Sequence, residues 1–197
     1  AIAAIEANKN RPFFMYLAPQ AGHAPHLVPL EWADTYNGAF DQGSEAIREG
    51  IRERQIALGL LPEDTTLSPI NPHGEPGRSG PDGQPWPQLD TVRPWDTLTA
   101  DEQKLFTRMA EVFAGYISYY DDRLGKVLDF LEESGELDNT LIVVTSDNGA
   151  SGEGGPNGSF NEWRFFNGVP DTFETTNPHL DELGTPASNN HYNTGWA

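Results

Sequence analysis

Asp147 and Asn148 stand side by side at the end of the apolar run Leu141-Ile-Val-Val-Thr-Ser146, and Gly149 follows them. A carboxylate and a carboxamide delivered together suit a hard divalent cation that prefers oxygen ligands, calcium or magnesium. Gly149 lets the chain turn away with no side chain over the ion. The same residues also fit a plain strand-to-loop turn, where Asn-Gly is common, so both readings stay open on the motif alone. A second chemical group is His23, in Gly22-His-Ala-Pro25. An imidazole titrating near neutrality can hold an anionic group or protonate a departing oxygen. Packing on the neighbouring prolines is the competing reading. His26 lies past the Pro25 bend and fits the chemical role less well.

Other reactive-looking residues carry less. Asp121 and Asp122 are adjacent on a helix, so their side chains diverge by about a hundred degrees and cannot share a proton. They read as surface charge with Arg123 available for pairing. Glu132-Glu133 and Asp181-Glu182 read as solvated faces, and His73, His179 and His191 as surface histidines. The glycine-rich stretch 149–158 lacks the Gly-Lys-Ser/Thr of a phosphate loop. No nucleophile-elbow sequence for Ser-His-Asp hydrolysis is present.

The elements that must position these groups are legible in outline. Pro12 to Ala18 and Leu141 to Ser146 read as short buried strands, each ending where a candidate residue begins. Strand ends of open α/β sheets are where ligands sit, which would place His23 and Asp147 on one sheet edge. Ala1 to Asn8 reads as the tail of a helix stopped by Asn-Lys-Asn. Glu31 to Tyr36 reads as a helical turn, and Ser44 as the N-cap of a helix running to about Leu58. Thr99 with Glu102 forms a capping box. Beyond it Leu105, Met109, Val112, Tyr116, Tyr120, Leu124, Val127 and Leu131 make one apolar stripe, with Gly135 as terminator. That helix feeding the strand at Leu141 is the α/β signature. Residues 62–94 read as an irregular excursion rich in Pro and Gly, and Phe160, Trp163, Phe165 and Phe166 as scattered anchors after it.

Bulk properties narrow the function classes. The chain has 197 residues with 5 Trp, 10 Phe and 6 Tyr, enough for a sizeable core in one domain. Net charge is −18, from 30 acidic and 12 basic residues, a field that disfavours nucleic acid and anionic membranes. With no cysteine, disulfides, thiolate metal sites and cysteine nucleophiles are excluded within this sequence. No apolar run reaches membrane-spanning length, and no signal peptide is visible. The helix-like start and the absence of a stop signal at Gly195-Trp196-Ala197 lead us to expect an excerpt of a longer protein.

Four stretches together resemble the bacterial arylsulfatases, formylglycine-dependent type I sulfatases of the alkaline phosphatase superfamily. They are Pro12-Phe-Phe-Met-Tyr-Leu with Gly22-His23-Ala-Pro-His-Leu-Val-Pro29; Tyr36-Asn-Gly-Ala-Phe-Asp-Gln-Gly43; Met109 through Leu131; and Gly135-Glu-Leu-Asp-Asn-Thr140 running into Thr145-Ser-Asp-Asn-Gly149. The resemblance implies an α/β fold of alkaline-phosphatase type, a mixed, largely parallel sheet flanked by helices, of which residues 1–197 would be part of one catalytic domain. It implies that a divalent cation, calcium with magnesium as the alternative, is held by three aspartates and an asparagine, the last pair falling on Asp147 and Asn148. The sulfate-contacting histidine that protonates the leaving group falls on His23. The formylglycine nucleophile and the paired N-terminal aspartates are expected upstream of Ala1, and a sulfate-contacting lysine after Ala197. The implied reaction is hydrolysis of a small-molecule sulfate monoester to an alcohol or phenol plus sulfate, in company with the remainder of the sulfatase chain and inactive without it. Phosphonate monoester or phosphodiester hydrolysis within the same superfamily is the nearest rival. A non-catalytic acidic cation-binding module is the rival from another class.

Overall fold

Thr99 opens the element on which the rest of the chain packs. Its hydroxyl accepts from the Glu102 backbone N–H at 3.3 Å, and the Glu102 carboxylate accepts from the Thr99 N–H at 2.8 Å. The capping box expected from the sequence therefore starts a 34-residue helix, Ala100–Glu133. The computed structural model describes residues 1–70, 92–169 and 171–197, without the side chain of residue 165. Most of the 62–94 excursion, with His73, lies outside the described residues. We number the α-helices α1 (Ile2–Glu6), α2 (Leu30–Asp34), α3 (Ser44–Ala57), α4 (Ala100–Glu133), α5 (Glu162–Phe166) and α6 (Phe173–Thr176). Short 3-10 turns link them, among them Asn177–Glu182 and Thr194–Trp196.

α4 ends as Gly135 predicts. That glycine sits at φ 74°, its N–H bonds the Glu132 carbonyl at 2.9 Å, and the Glu136 N–H bonds the Leu131 carbonyl at 2.9 Å. Two otherwise orphaned carbonyls are thereby satisfied. The apolar stripe divides along the helix. Leu105, Met109, Val112 and Tyr116 are buried with Val28, Ala33, Leu183 and Tyr192, whereas Tyr120, Leu124 and Val127 remain half-buried. On the polar side, Asp122 pairs with Arg123 at 3.4 Å and Lys126 at 3.3 Å, which agrees with its reading as surface charge.

α2 crosses α4 at Gly115. A Cβ there would lie 2.6 Å from the Ala33 nitrogen and 2.7 Å from the Trp32 carbonyl carbon, both backbone atoms. A glycine inside a helix costs about 1 kcal/mol relative to alanine, and the close approach of α2 offsets that cost. Gly115→Val is therefore expected to lower stability by about 1–3 kcal/mol through overpacking, read as a reduced urea midpoint. An unchanged midpoint would mean that α2 yields without penalty.

One expectation is corrected. Ser44 is not the N-cap of α3: Gly43 caps it at φ 90°, and the Ser44 hydroxyl donates to the Glu45 carboxylate at 2.8 Å. The Trp95 ring occupies the space beside Gly43, where a Cβ would come within 2.3 Å, and the Trp95 N–H donates to Glu45 at 2.9 Å. Packing on Trp95 thus moves the cap one residue upstream. The expected sheet is not seen among the described residues. Among the described residues the only β-pairings are two isolated bridges, Ser159 with His191 and Asn161 with Asn189. The two expected strands carry no ladder, and their apolar side chains stand in solvent: Phe14 is 92% exposed and Leu141 90%. A strand's N–H and C=O groups need neighbours on which to pair, and one isolated pair is marginal in water. A β-branched apolar run specifies half of such a pairing. No helix among the described residues is long and apolar enough to cross a membrane.

Candidate functional site

The His23 loop follows the first expected strand and contains a cis Ala24–Pro25 bond. Its far side is tied to the C-terminal part of the chain: the His26 N–H bonds the Asn190 carbonyl at 3.2 Å and the Val28 N–H bonds the Gly184 carbonyl at 3.0 Å. His23 itself is exposed, with Nδ1 2.7 Å from the Ala24 carbonyl. A carbonyl only accepts, so Nδ1 carries the proton and Nε2 is left for other chemistry.

Asp147 and Asn148 are likewise exposed. The Asn148 amide donates to the Gly149 carbonyl at 2.9 Å, so its own carbonyl oxygen is not spent on that bond. The Ser146 hydroxyl donates to the Asn148 backbone carbonyl at 2.6 Å and steadies the turn. The donor set, one carboxylate and one amide oxygen, fits an oxygen-preferring cation. Among the described residues, no hydrogen bond or ion pair joins His23 to either residue. What the two loops share is an anchor. The Ser151 N–H reaches the Tyr192 hydroxyl at 3.2 Å and the Thr194 hydroxyl reaches the Gly152 carbonyl at 2.9 Å. Residues 190–194 thus hold the loop after Asp147 as well as the loop after His23.

Between those loops lies a cluster of rings. His26, 0% exposed, packs within 5.0 Å of Phe113 and of His191 and 5.3 Å from Tyr192, measured between ring centroids. Both His26 ring nitrogens lack a hydrogen-bond partner. Burial pushes its pKa down to about 3, helped by the nearby charges of His191 and His23. His191 is also buried, a correction to its reading as a surface residue. It sinks because the tail folds back and pairs with Ser159 through two backbone bonds of 3.0 and 3.1 Å. Burial lowers the His191 pKa, opposed by its bond to the Tyr192 carbonyl and by Glu162 and Glu153.

An acid branch in stability follows. Unfolded, His26 titrates near its ordinary value of 6.5; folded, it stays neutral to about pH 3. Above pH 6.5 neither state binds this proton and there is no cost. Below it only the unfolded state does, so stability falls by up to about 1.4 kcal/mol per pH unit until the folded group titrates. His26→Phe is expected to flatten that slope in thermal unfolding between pH 7 and 4, leaving the smaller contribution of His191; an unaltered slope would remove His26 as its source.

The fold also brings together three residues the sequence did not single out. Glu153, Glu162 and His191 each place one potential ligand atom within 4.8 Å of the others. No short motif could have announced them, because one lies in the glycine-rich loop, one at the start of α5 and one in the tail.

A sulfatase family model matches residues 1–193. The chain belongs to the sulfatase family. Within the alkaline phosphatase superfamily, it is 33% identical over 144 residues to an uncharacterized sulfatase of Schizosaccharomyces pombe, covering 73% of this chain and 23% of that protein. It is 29% identical over 190 residues to the arylsulfatase of Klebsiella aerogenes, covering 96% of this chain and 35% of that enzyme. A shorter match, 43% over 51 residues, joins 26% of this chain to 10% of a multifunctional alkaline phosphatase superfamily protein of Trinickia caryophylli. This sulfatase chain therefore spans about a quarter to a third of the length of these first two relatives. Membership implies an alkaline-phosphatase-like α/β fold, of which the described residues show the helices and the site-bearing loops but no sheet ladder.

Proposed function

We propose that this chain is part of the catalytic domain of a sulfuric ester hydrolase that cleaves small-molecule sulfate monoesters to an alcohol or phenol and sulfate. The observation that carries the reading is the family match over residues 1–193, which includes both the His23 loop and the Asp147–Asn148 turn. Asp147 and the Asn148 side-chain oxygen would help hold a divalent cation, calcium or magnesium, whose charge offsets that on the sulfuryl oxygens. His23, its Nδ1 proton held by the Ala24 carbonyl, would bring a protonated Nε2 to the leaving oxygen. Further ligands and the formylglycine nucleophile are assigned to chain outside these residues. So are the neighbouring strands that would cover Phe14, Leu141 and Val143.

The test is hydrolysis by the full-length protein of an aryl sulfate such as 4-nitrophenyl sulfate, set beside the matching phosphate monoester and diester. Preference for the sulfate is expected. Preference for a phosphoester would favour the second reading, which is kept because a relative is a multifunctional member of the same superfamily. His23→Ala should slow alkyl or weakly acidic phenyl sulfates by about 10²–10⁴-fold, while sparing activated nitrophenyl esters that need little protonation. Equal losses across a leaving-group series would leave His23 a structural role only.

A further inference from the structure

We propose that Glu153, Glu162 and His191 form a second cation site, distinct from the Asp147–Asn148 turn, selective for a borderline transition metal of the zinc class. One ligand atom from each residue lies within 4.8 Å of the other two. Ligand atoms around a tetrahedral zinc sit about 3.4 Å apart at ordinary bond lengths, so modest side-chain adjustment closes the set on an ion. One imidazole nitrogen with two carboxylates is a zinc-type donor set, whereas calcium and magnesium take oxygen alone.

One observation beyond the cluster's geometry points to a ligand. Glu162 is only 6% exposed, and its Oε1 has no hydrogen-bond partner. No lysine or arginine among the described residues pairs with Glu162 or Glu153, and Arg164, the nearest basic residue in sequence, is engaged with Asp171 at 2.8 Å. A buried carboxylate without a counter-charge is strongly unfavourable, and a divalent ion supplies that charge. The tautomer of His191 is compatible with that role. Its Nδ1 lies 2.9 Å from the Tyr192 carbonyl and must donate to it, which leaves the Nε2 lone pair free to bind a metal. A backbone carbonyl fixing one imidazole nitrogen while the other faces the metal is the usual arrangement around bound zinc.

The supports are rigid. Glu162 and His191 sit on two segments joined by four backbone bonds: Ser159 and His191 exchange two, Glu162 N–H reaches the Asn189 carbonyl at 2.9 Å, and Asn189 N–H reaches the Phe160 carbonyl at 3.0 Å. Glu153 is held by the Ser151 hydroxyl, which donates to its carboxylate at 3.1 Å. The next residue, Gly154, touches the tail so closely that a Cβ would lie 1.9 Å from the Tyr192 carbonyl oxygen. An ion here would clamp the glycine-rich loop to the tail and so steady the turn that begins at Asp147.

The experiment uses the full-length protein, stripped of metal with a chelator and dialysed against zinc with calcium in excess. Elemental analysis is expected to find one tightly held zinc per chain, with a rise in unfolding temperature on zinc addition. Glu162→Gln and Glu153→Gln should each weaken zinc binding at least tenfold and leave calcium content unchanged. Asp147→Ala should do the reverse, so a failure of the sulfatase cation assignment is read separately from a failure here. Because Glu153 is exposed, Glu153→Gln decides the matter if Glu162→Gln does not fold. Zinc affinity unchanged in that variant, no zinc retained by the native protein, or zinc lost along with calcium in Asp147→Ala would each overturn the proposal.

Discussion

Asp147→Ala, in the full-length protein, is expected to lose the divalent cation and to lower kcat/KM for aryl sulfates by at least about a thousandfold. The magnitude follows from what the proposed cation would supply: electrostatic stabilisation of the transition state worth several kcal/mol, where each 1.4 kcal/mol is about tenfold in rate. The side chain is exposed, so its removal should leave the fold intact. That separation makes the outcome informative. Calcium content by elemental analysis and circular dichroism together distinguish a lost ligand from a lost fold. Retained cation with retained activity would remove Asp147 from the site. Asn148→Ala is the milder companion, because an amide oxygen contributes a dipole to the ion where the carboxylate contributes a full charge.

What could be read from the chain beforehand was the part that local chemistry dictates. The capping box at Thr99 and Glu102, the stripe from Leu105 to Leu131 and the stop at Gly135 depend on residues within a few positions of one another, and all three formed. The Ser44 cap failed for a non-local reason, the Trp95 ring standing beside Gly43. The strand segments meet a similar limit. Val143 and Val144 carry the β-branched signal, yet pairing is a contract with another segment, and none of the described residues supplies one. His191 illustrates the same limit at the site. In a stretch rich in Asn and Gly it looks solvated; only the pairing of residues 159–162 with 189–191 buries it and brings it to Glu162. His26 fits the chemical role less well than His23 because it lies past the Pro25 bend, and it is a neutral ring in the packed interior. The candidate residues His23, Asp147 and Asn148 come from local motifs; the anchor their loops share on residues 190–194 is made by chain distant in sequence, which no local pattern announces.

That anchor depends on the core beneath it, which Phe106→Ala should expose. Phe106 is 1% exposed within the α4 core, and its backbone carbonyl accepts the Trp196 indole N–H at 3.0 Å. Truncation removes the ring's transfer free energy and leaves a cavity, together about 3–5 kcal/mol. The urea midpoint should fall accordingly with an unchanged slope, since the surface exposed on unfolding is nearly the same. The indole bond is made to the backbone, so it survives the substitution and Trp196 retains a reason to stay docked. The loss should therefore appear chiefly as global stability, with aryl sulfate turnover well below the melting range close to native. If turnover falls steeply while the protein remains folded, the α4 core sets the position of the 190–194 segment, and through it the loops bearing His23 and Asp147, more tightly than the indole bond does.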